Sequence, residues 1–242
     1  MSPEEANFLA TVDRMASGDP ATDRVEEDGF VAWLAPGDPP VANFAFVRQV
    51  DPWSARRLAE IAGRQGRFRV YASRVEEVAN EVLDRAGFVR RGEARIMLAS
   101  PGGDPGGLAP EQEEDPREVA VFVADQFFAR AVPARRDAFA RSIASAPDTR
   151  LVSVRDRGGI VAAAMLSSTE GMLGIYNLCV APRRRGVGIG TELVRWVLAH
   201  SSHPVTLQSD PSLEPWYRKS GFRTVGAVQF YGLASSRDSD TM

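Results

Sequence analysis

Hydrophobic residues recur at two spacings along the chain, and the alternation of these spacings predicts a mixed α/β protein. Phe8, Leu9 and Val12 form the apolar stripe of a first helix. Ser2 and Glu5 have the spacing of a capping box at its start. Over the rest of the first hundred residues, the pattern predicts strands at 30–34, 41–47, 68–72 and 93–98, helices at 54–62 and 75–85, and a turn at 37–40.

A second series of elements follows a stretch of different composition. Residues 101–107 are glycine, proline and one aspartate, and an acidic run from Glu111 to Asp115 comes next. Such a stretch neither continues a helix nor pairs as a strand, so it predicts an exposed linker. The predicted organisation is a first lobe at 1–100, a linker at 101–116, a second lobe at 117–233 and a disordered tail at 234–242. In the second lobe we expect helices at 117–130, 134–145, 190–200 and 212–219, and strands at 150–154, 159–166, 172–180, 205–208 and 224–231.

The two lobes share a pattern that indicates an internal repeat. Asn43-Phe44 matches Asn177-Leu178, and Gly87-Phe88 matches Gly221-Phe222, and both matches are 134 positions apart. Each Gly-Phe pair follows a short helix. We therefore expect a left-handed glycine that closes the helix and a phenylalanine that packs back onto it.

Composition excludes several classes of protein. The chain has 29 Lys+Arg against 32 Asp+Glu, so no basic surface for nucleic acid is expected. One cysteine, Cys179, and two histidines exclude a disulfide framework and make a metal site implausible. The acidic N-terminus does not resemble a signal peptide, and the longest apolar run, 160–166, is too short to cross a membrane. A cytoplasmic protein without membrane or nucleic-acid partners is the expectation.

The segment with the clearest chemistry joins strand 172–180 to helix 190–200. Glycines at 186, 188 and 190 leave backbone N–H groups unshielded at a helix N-terminus, where they can bind phosphate oxygens. Arg183, Arg184 and Arg185 add positive charge. Three glycines alone are equally compatible with a flexible connection. The spacing fits neither the Walker loop, which needs a lysine, nor the dinucleotide loop.

The wider motif resembles one known family. Arg185-x-x-Gly188-x-Gly190, preceded by 178–182 and followed by Tyr217-x-x-x-Gly221-Phe222, is similar to the acyl-CoA motif of the GCN5-related N-acetyltransferase (GNAT) superfamily. The resemblance covers about 117–233. It implies a mixed, mainly antiparallel sheet that splays between its fourth and fifth strands, with CoA in the gap. The repeat then implies two tandem GNAT-like lobes, the first of them degenerate.

The resemblance also implies site residues. The N–H of Val180 would stabilise the oxyanion, and Tyr217 would donate a proton to the CoA sulfur. The asparagine that often contacts pantetheine is replaced by Asp210. The implied acyl-CoA-binding residues are Leu178, Cys179 and Val180 at the pantetheine arm or acyl carbonyl, Arg185, Gly186, Val187, Gly188, Ile189, Gly190 and Thr191 at the pyrophosphate, Asp210 at the pantetheine, and Tyr217 near the thioester sulfur.

The sequence departs from the family in several places. Residues 172–180 lack the glutamate that often acts as base, which leaves water or Glu170. The usual first strand before the two helices is not visible, and Cys179 is expected in the core. In the first lobe the corresponding loop, 49–55, has no glycine, and Leu83 stands in place of Tyr217. That lobe should therefore neither bind CoA in the usual way nor catalyse. It would complete the sheet, wall the acceptor cleft, or both.

Three hypotheses of function follow. The first is transfer of an acetyl or short acyl group from acyl-CoA, with acetyl-CoA as co-substrate, to an amine of a small molecule or peptide in a ternary complex. The second is a non-catalytic acyl-CoA sensor or scaffold, and the third is a purely structural pair of lobes. The sequence does not specify the acceptor or the acyl length, and it leaves both a monomer and a homodimer open.

Overall fold

The computed structural model describes residues 1–36, 41–65, 67–73, 77–112, 115–169 and 171–234. Within these ranges the chain forms seven α-helices and eleven strands. The helices are α1 (Pro3–Ser17), α2 (Pro52–Gln65), α3 (Glu77–Arg85), α4 (Pro116–Phe127), α5 (Pro133–Ala144), α6 (Ile189–His200) and α7 (Glu214–Lys219). The strands are β1 (Asp23–Glu27), β2 (Phe30–Leu34), β3 (Phe44–Val47), β4 (Arg69–Ser73), β5 (Phe88–Ala99), β6 (Glu111–Gln112), β7 (Thr149–Asp156), β8 (Gly159–Thr169), β9 (Met172–Val180), β10 (Val205–Ser209) and β11 (Arg223–Leu233).

All of these strands belong to one mixed sheet. Their order is β1-β2-β3-β4-β11-β5-β10-β9-β8-β7-β6. Only two neighbouring pairs in that order, β3–β4 and β9–β10, are parallel. The sheet is therefore mainly antiparallel, as expected from the sequence.

Helices cover both faces of the sheet. On β8, Ala162 and Ala164 pack in one core with α6 and α7, whereas Ala163 and Met165 pack in another with α4 and α5. Helix α1 lies on the α4–α5 face, and α2 and α3 lie on the α6–α7 face. None of the described helices combines the length and the apolar character needed to cross a membrane.

The internal repeat is visible in the backbone. The series β3-α2-β4-α3-β5 has the same order as β9-α6-β10-α7-β11. Asn43 and Asn177 both have positive φ, 58° and 52°, which is uncommon outside glycine. Gly87 and Gly221 have φ of 86° and 92°, so both close a helix in the left-handed conformation that the sequence predicted.

The two halves exchange their last strands. Strand β5 pairs with β10 of the second half, and β11 pairs with β4 of the first half. β5 and β11 also pair with each other along almost their whole length. Because hydrogen-bonded ladders cross between the halves at three places, neither half closes its own sheet.

The segment between the halves is exposed but attached to the second half. The N–H of Gly102 donates to the carbonyl of Leu198 at 2.7 Å, and Leu108 packs against the core beneath α6. Its end forms β6, which pairs with β7. The second half therefore does have a first strand before its two helices, although none was visible in the sequence. This strand is two residues long and lies inside the predicted linker. Strand β1 was also missed, because four of its five residues are charged.

Several sequence predictions lie outside the described residues. These are the turn at 37–40, the start of the helix predicted at 75, the acidic side chains of Glu113 and Glu114, the proposed base Glu170 and the tail from 235 onward.

The strand exchange predicts that the second half depends on the first. A fragment of residues 101–242 lacks β4 and β5, so β11 loses both neighbours and β10 loses one. We expect this fragment to show no cooperative thermal transition by circular dichroism, and addition of a 1–100 fragment to restore one. A cooperative transition of the isolated fragment near the Tm of the full chain would contradict the prediction.

Candidate functional site

The site begins where two parallel strands separate. Strand β10 pairs with β9 only at Leu173 and Gly174. Beyond Gly174, β9 continues to Val180 with β8 on one side and no described strand on the other. The result is a wedge-shaped gap between β9 and β10, with one edge of β9 exposed to it.

A bulge lies on β9 inside this gap. The register with β8 shifts between Ala163 and Met165, opposite Asn177 with its positive φ. As a consequence Ile175 and Leu178, three residues apart, both pack on the α6 side of the sheet. Such bulges redirect backbone groups, and this one lies next to the predicted binding segment 178–180.

Backbone direction differs between Val180 and Cys179. The N–H of Ala181 donates to the carbonyl of Val161 at 2.8 Å, and Cys179 lies opposite Ala163. Residues of an antiparallel ladder alternate between bonded and non-bonded pairs. The N–H of Cys179 therefore faces β8, and the N–H of Val180 faces the gap. Burial raises the pKa of the Cys179 thiol to about 12, as suits a core residue.

The glycine loop lies at the open end of the gap. Residues Pro182–Arg184 form a 3-10 turn, and α6 begins after Gly188, which has φ of 92° and serves as N-cap without a side-chain hydrogen bond. Glu192 donates its N–H to the Gly188 carbonyl at 3.0 Å. The preceding amides of α6 have no acceptor within the helix. A Cβ at Gly186 or Gly188 would meet no atom within 4 Å, so the space before these amides is open.

The three arginines of the loop have different positions. Arg185 Nε donates to the carbonyl of Val180 at 3.0 Å, so this side chain folds back onto β9. Arg184 forms an ion pair with Asp156 on β7. All three side chains are exposed beside the helix N-terminus. The loop is therefore positive, although two of its guanidinium groups already have partners in the chain.

Helix α7 carries Tyr217, which packs in the same core as β9 and α6. Its ring packs edge-on against Trp216 and Phe222, with centroid separations of 4.5 and 5.7 Å. Among the described residues its hydroxyl makes no hydrogen bond, and burial raises the pKa of this group to about 12. Tyr217 is therefore protonated throughout the physiological pH range.

Asp210 lies between β10 and α7. Its carboxylate accepts the N–H of Ser212 at 2.8 Å, and hydrogen bonding to the Ser212 hydroxyl and then to this N–H lowers the pKa of the carboxyl. The side chain caps the short turn Pro211–Leu213. Strand β9 contains no carboxylate. Among the described residues no group of three or more His, Cys, Asp or Glu side chains is placed to hold a metal ion.

The corresponding place in the first half is closed. All four residues of β3 pair with β4, so no gap separates these strands. At the start of α2, Asp51 Oδ1 accepts the N–H groups of Trp53 and Ser54 at 2.9 and 2.8 Å. The first amides of α2 thus donate to a carboxylate of the chain itself, whereas the corresponding amides of α6 have no side-chain cap. The missing glycines are visible in the sequence, whereas the role of Asp51 as an internal anion is visible only in the structure.

Helix α1 contributes to the second half rather than only to its own. Asn7 Nδ2 donates to the Ser167 carbonyl at 3.1 Å, and Thr11 Oγ1 donates to Ser167 Oγ at 2.8 Å. The buried Tyr176 hydroxyl donates to Asn7 Oδ1 at 2.7 Å. Gly174 is required here, because a Cβ would lie 2.2 Å from Asn7 Oδ1. The first half therefore covers the sheet face where β9 and β10 separate.

Comparison with known proteins identifies the class. A model of the acetyltransferase (GNAT) domain matches residues 111–232, half of the chain. The chain belongs to the GNAT acetyltransferase family. No curated protein sequence matches it.

Solved structures support the same fold over nearly the whole chain. A GCN5-related N-acetyltransferase from Kribbella flavida has a TM-score of 0.66 at 15% identity, covering 97% of this chain and 98% of that one. A functionally unknown conserved protein from Staphylococcus epidermidis has a TM-score of 0.66 at 16% identity, covering 87% of this chain and 93% of that one. A tandem GNAT protein from the clavulanic acid biosynthesis pathway, solved without AcCoA, has a TM-score of 0.60 at 16% identity, covering 98% of this chain and 97% of that one. The predicted fold class and tandem arrangement are confirmed.

The closed first half yields a prediction about Asp51. Replacing Asp51 by Ala should cost about 1 kcal/mol of unfolding free energy, the usual value for an N-cap. The change should not create a second CoA site, because β4 still occupies the side of β3. Denaturant unfolding and calorimetric titration with CoA measure the two effects.

Asp84→Ala, on an exposed position of α3, is the matched control and should change neither quantity. A second equivalent of CoA bound by Asp51→Ala would show that the first half keeps a usable site.

Proposed function

We propose that this protein is an acetyl-CoA-dependent N-acyltransferase that moves an acetyl or short acyl group directly to an amine of a small molecule or peptide. The observation that carries the proposal is the gap between β9 and β10, with the uncapped N-terminus of α6 at its open end. Tyr217 packs in the core that α6 and β9 share, which supports a role for its hydroxyl at this gap. The proposed partners are acyl-CoA and the amine, and neither nucleic acid nor a membrane is among them. The protein would act as a monomer or a homodimer.

The residues at the gap fit the parts of CoA. Amides from Gly186 to Thr191 would hold the diphosphate, since they are unshielded and lie at the positive end of a helix. The gap-facing edge of β9 near Leu178 and Val180 would pair with the amides of the pantetheine arm. Cys179 would contribute less, because its backbone faces β8. Asp210 would serve mainly to hold the turn before α7, since its carboxylate is bound to Ser212.

Acetyl-CoA in this position would supply an activated acyl carbonyl for direct attack by the amine. The Val180 N–H, directed into the gap, would donate to the carbonyl oxygen as it gains negative charge. The carbonyl of the same residue already accepts from Arg185 Nε, so the N–H is the backbone group of Val180 that would be left for the ligand. The Tyr217 hydroxyl would donate toward the departing sulfur.

The raised pKa of Tyr217 limits what this hydroxyl can do. With a pKa of about 12, it is a weaker acid than a free tyrosine. It would therefore act mainly as a hydrogen-bond donor to the sulfur, and we place its contribution at the low end of the range for general acids. No carboxylate lies on β9, so water would take the proton that the neutral amine nitrogen must lose as the amide forms.

A non-catalytic acyl-CoA sensor is the second candidate, favoured by the lack of a carboxylate on β9. The deciding experiment is a screen of primary amines with acetyl-CoA, in which free thiol is detected. Thiol release that depends on both substrates supports the transferase. CoA binding without turnover on any amine would favour the sensor, and absence of CoA binding would leave a structural role.

Tyr217→Phe should lower kcat by about 100-fold, the low end of the range for general acids, while the Kd for CoA changes by less than about twofold. The reason is that the ring and its packing remain and only the donor is lost. Steady-state kinetics with the best amine and calorimetry with CoA separate the two quantities. Tyr71→Phe, a half-buried tyrosine of the first half, is the control and should leave kcat unchanged.

The same residue predicts the alkaline pH dependence. Because burial raises the pKa of Tyr217 from its ordinary value of 10 to about 12, the donor stays protonated up to about pH 10. We expect kcat between pH 7 and 10 to show no descending limb due to this group. A descending limb in the native enzyme that Tyr217→Phe abolishes would refute this assignment.

Gly188→Ala should weaken CoA binding at least tenfold. Gly188 has φ of 92°, where a Cβ costs about 1–2 kcal/mol, and the added methyl group enters the open space before the α6 amides. Calorimetric titration measures the effect. Gly107→Ala, a linker glycine with open space around it and no positive φ, should bind CoA normally. Equal binding by both variants would argue against a diphosphate site at this loop.

A further inference from the structure

Trp216 connects the helix of the catalytic tyrosine with the first turn of α6. Its indole Nε1 donates to Thr191 Oγ1 at 3.2 Å. Its six-membered ring lies directly over Gly190, where a Cβ would be 3.4 Å from Cζ2 and equally close to Val180. The sequence pattern assigns this tryptophan no role, although it directly precedes Tyr217.

The hydrogen bond from Trp216 fixes the polarity of the Thr191 hydroxyl. An indole N–H can only donate, so Thr191 Oγ must accept. The hydroxyl proton is then directed away from the indole. Thr191 lies in the first turn of α6, beside the unpaired amides at the opening of the gap. A donor in that place adds to the amide donors already facing the proposed diphosphate site.

We propose that Trp216 is a positioning residue for acyl-CoA: it holds the Thr191 hydroxyl as a donor to a diphosphate oxygen. This inference rests on the proposed function. The competing arrangement has the Thr191 hydroxyl donating to the carbonyl of Val187 one turn earlier, as threonines in helices often do. In that case the indole would only fill space, and the N–H would be dispensable.

Phenylalanine at position 216 separates these two arrangements, because it keeps an aromatic ring and removes the N–H. We expect Trp216→Phe to raise the Kd for CoA about fivefold, the effect of one neutral hydrogen bond. Thr191→Val should raise it at least tenfold, since it removes a hydrogen bond to a charged group. Because the tryptophan acts through the threonine, the double variant should bind CoA no more weakly than Thr191→Val alone.

The matched control is Trp196→Phe. Trp196 lies on α6 but stacks on His200 near the other end of the helix, at a centroid distance of 4.7 Å. This variant should bind CoA as the native protein does. Thermal unfolding of every variant checks that the fold is retained. Additive losses in the double variant, or unchanged binding by Trp216→Phe, would overturn the proposal.

A truncated substrate provides a readout that general damage to the site would not imitate. S-acetylpantetheine carries the thioester and pantetheine arm but no diphosphate. Trp216→Phe should raise KM for acetyl-CoA about fivefold with kcat unchanged, and should leave kcat/KM for S-acetylpantetheine within twofold. An equal loss with both substrates would contradict a role through the diphosphate.

The outcomes also separate this inference from the proposed function. If the native protein binds no CoA, the proposed function fails. If the native protein binds CoA and Trp216→Phe binds it equally well, only the role of Trp216 fails. CoA binding without turnover still allows the calorimetric comparison, because that comparison requires no reaction.

Discussion

The hydrogen-bonding requirement of one strand edge determines how this protein is organised. Backbone N–H and C=O groups away from water need partners, and β9 loses its partner strand beyond Gly174. An extended ligand with amides of its own can take the place of that strand. In the first half, β4 occupies the corresponding edge of β3, so the same architecture has no opening there. The difference between the half with an open gap and the half without one is thus a difference in strand pairing.

The same contrast occurs at the two helix N-termini. The amides at the start of α2 bind the carboxylate of Asp51, whereas those of α6 follow Gly188 without a side-chain cap. An uncapped N-terminus costs stability, and the usual cap is worth about 1 kcal/mol. The uncapped N-terminus of α6 lies at the open end of the gap, where an anion from outside the chain would supply the missing cap. Arg185, bound to the Val180 carbonyl, connects this end to β9.

The exchange of last strands explains why the second half needs the first. β5 supplies the second edge of β10, and β11 reaches back to β4. An ion pair also links the two halves, since Arg95 Nε of β5 lies 3.3 Å from a carboxylate oxygen of Glu214 at the start of α7. Helix α1 covers the other face where β9 and β10 separate, through Asn7 and Thr11. The first half thus forms part of the framework of the second.

Much of the local structure could be predicted from the sequence. The capping box of Ser2 and Glu5, the left-handed glycines Gly87 and Gly221, and the bounds of β9 agree with the prediction. Each depends on a few neighbouring residues. The two strands that the sequence did not predict, β1 and β6, have a common explanation. β1 is mostly charged and β6 has only two residues, so each forms only because a neighbouring strand offers hydrogen bonds. Neither has a hydrophobic pattern of its own.

What the sequence by itself determined was therefore the set of helices, most of the strands, the glycine loop before α6 and the likeness of the two halves. These follow from short-range effects: the missing Cβ of glycine, the spacing of apolar side chains and the chemistry of helix caps. The tertiary structure decided which strands pair, which half keeps a gap, where the Arg185 side chain goes and that Trp216 meets Thr191. These depend on contacts between residues far apart in the chain, and the spacing of residues within one segment carries no information about them.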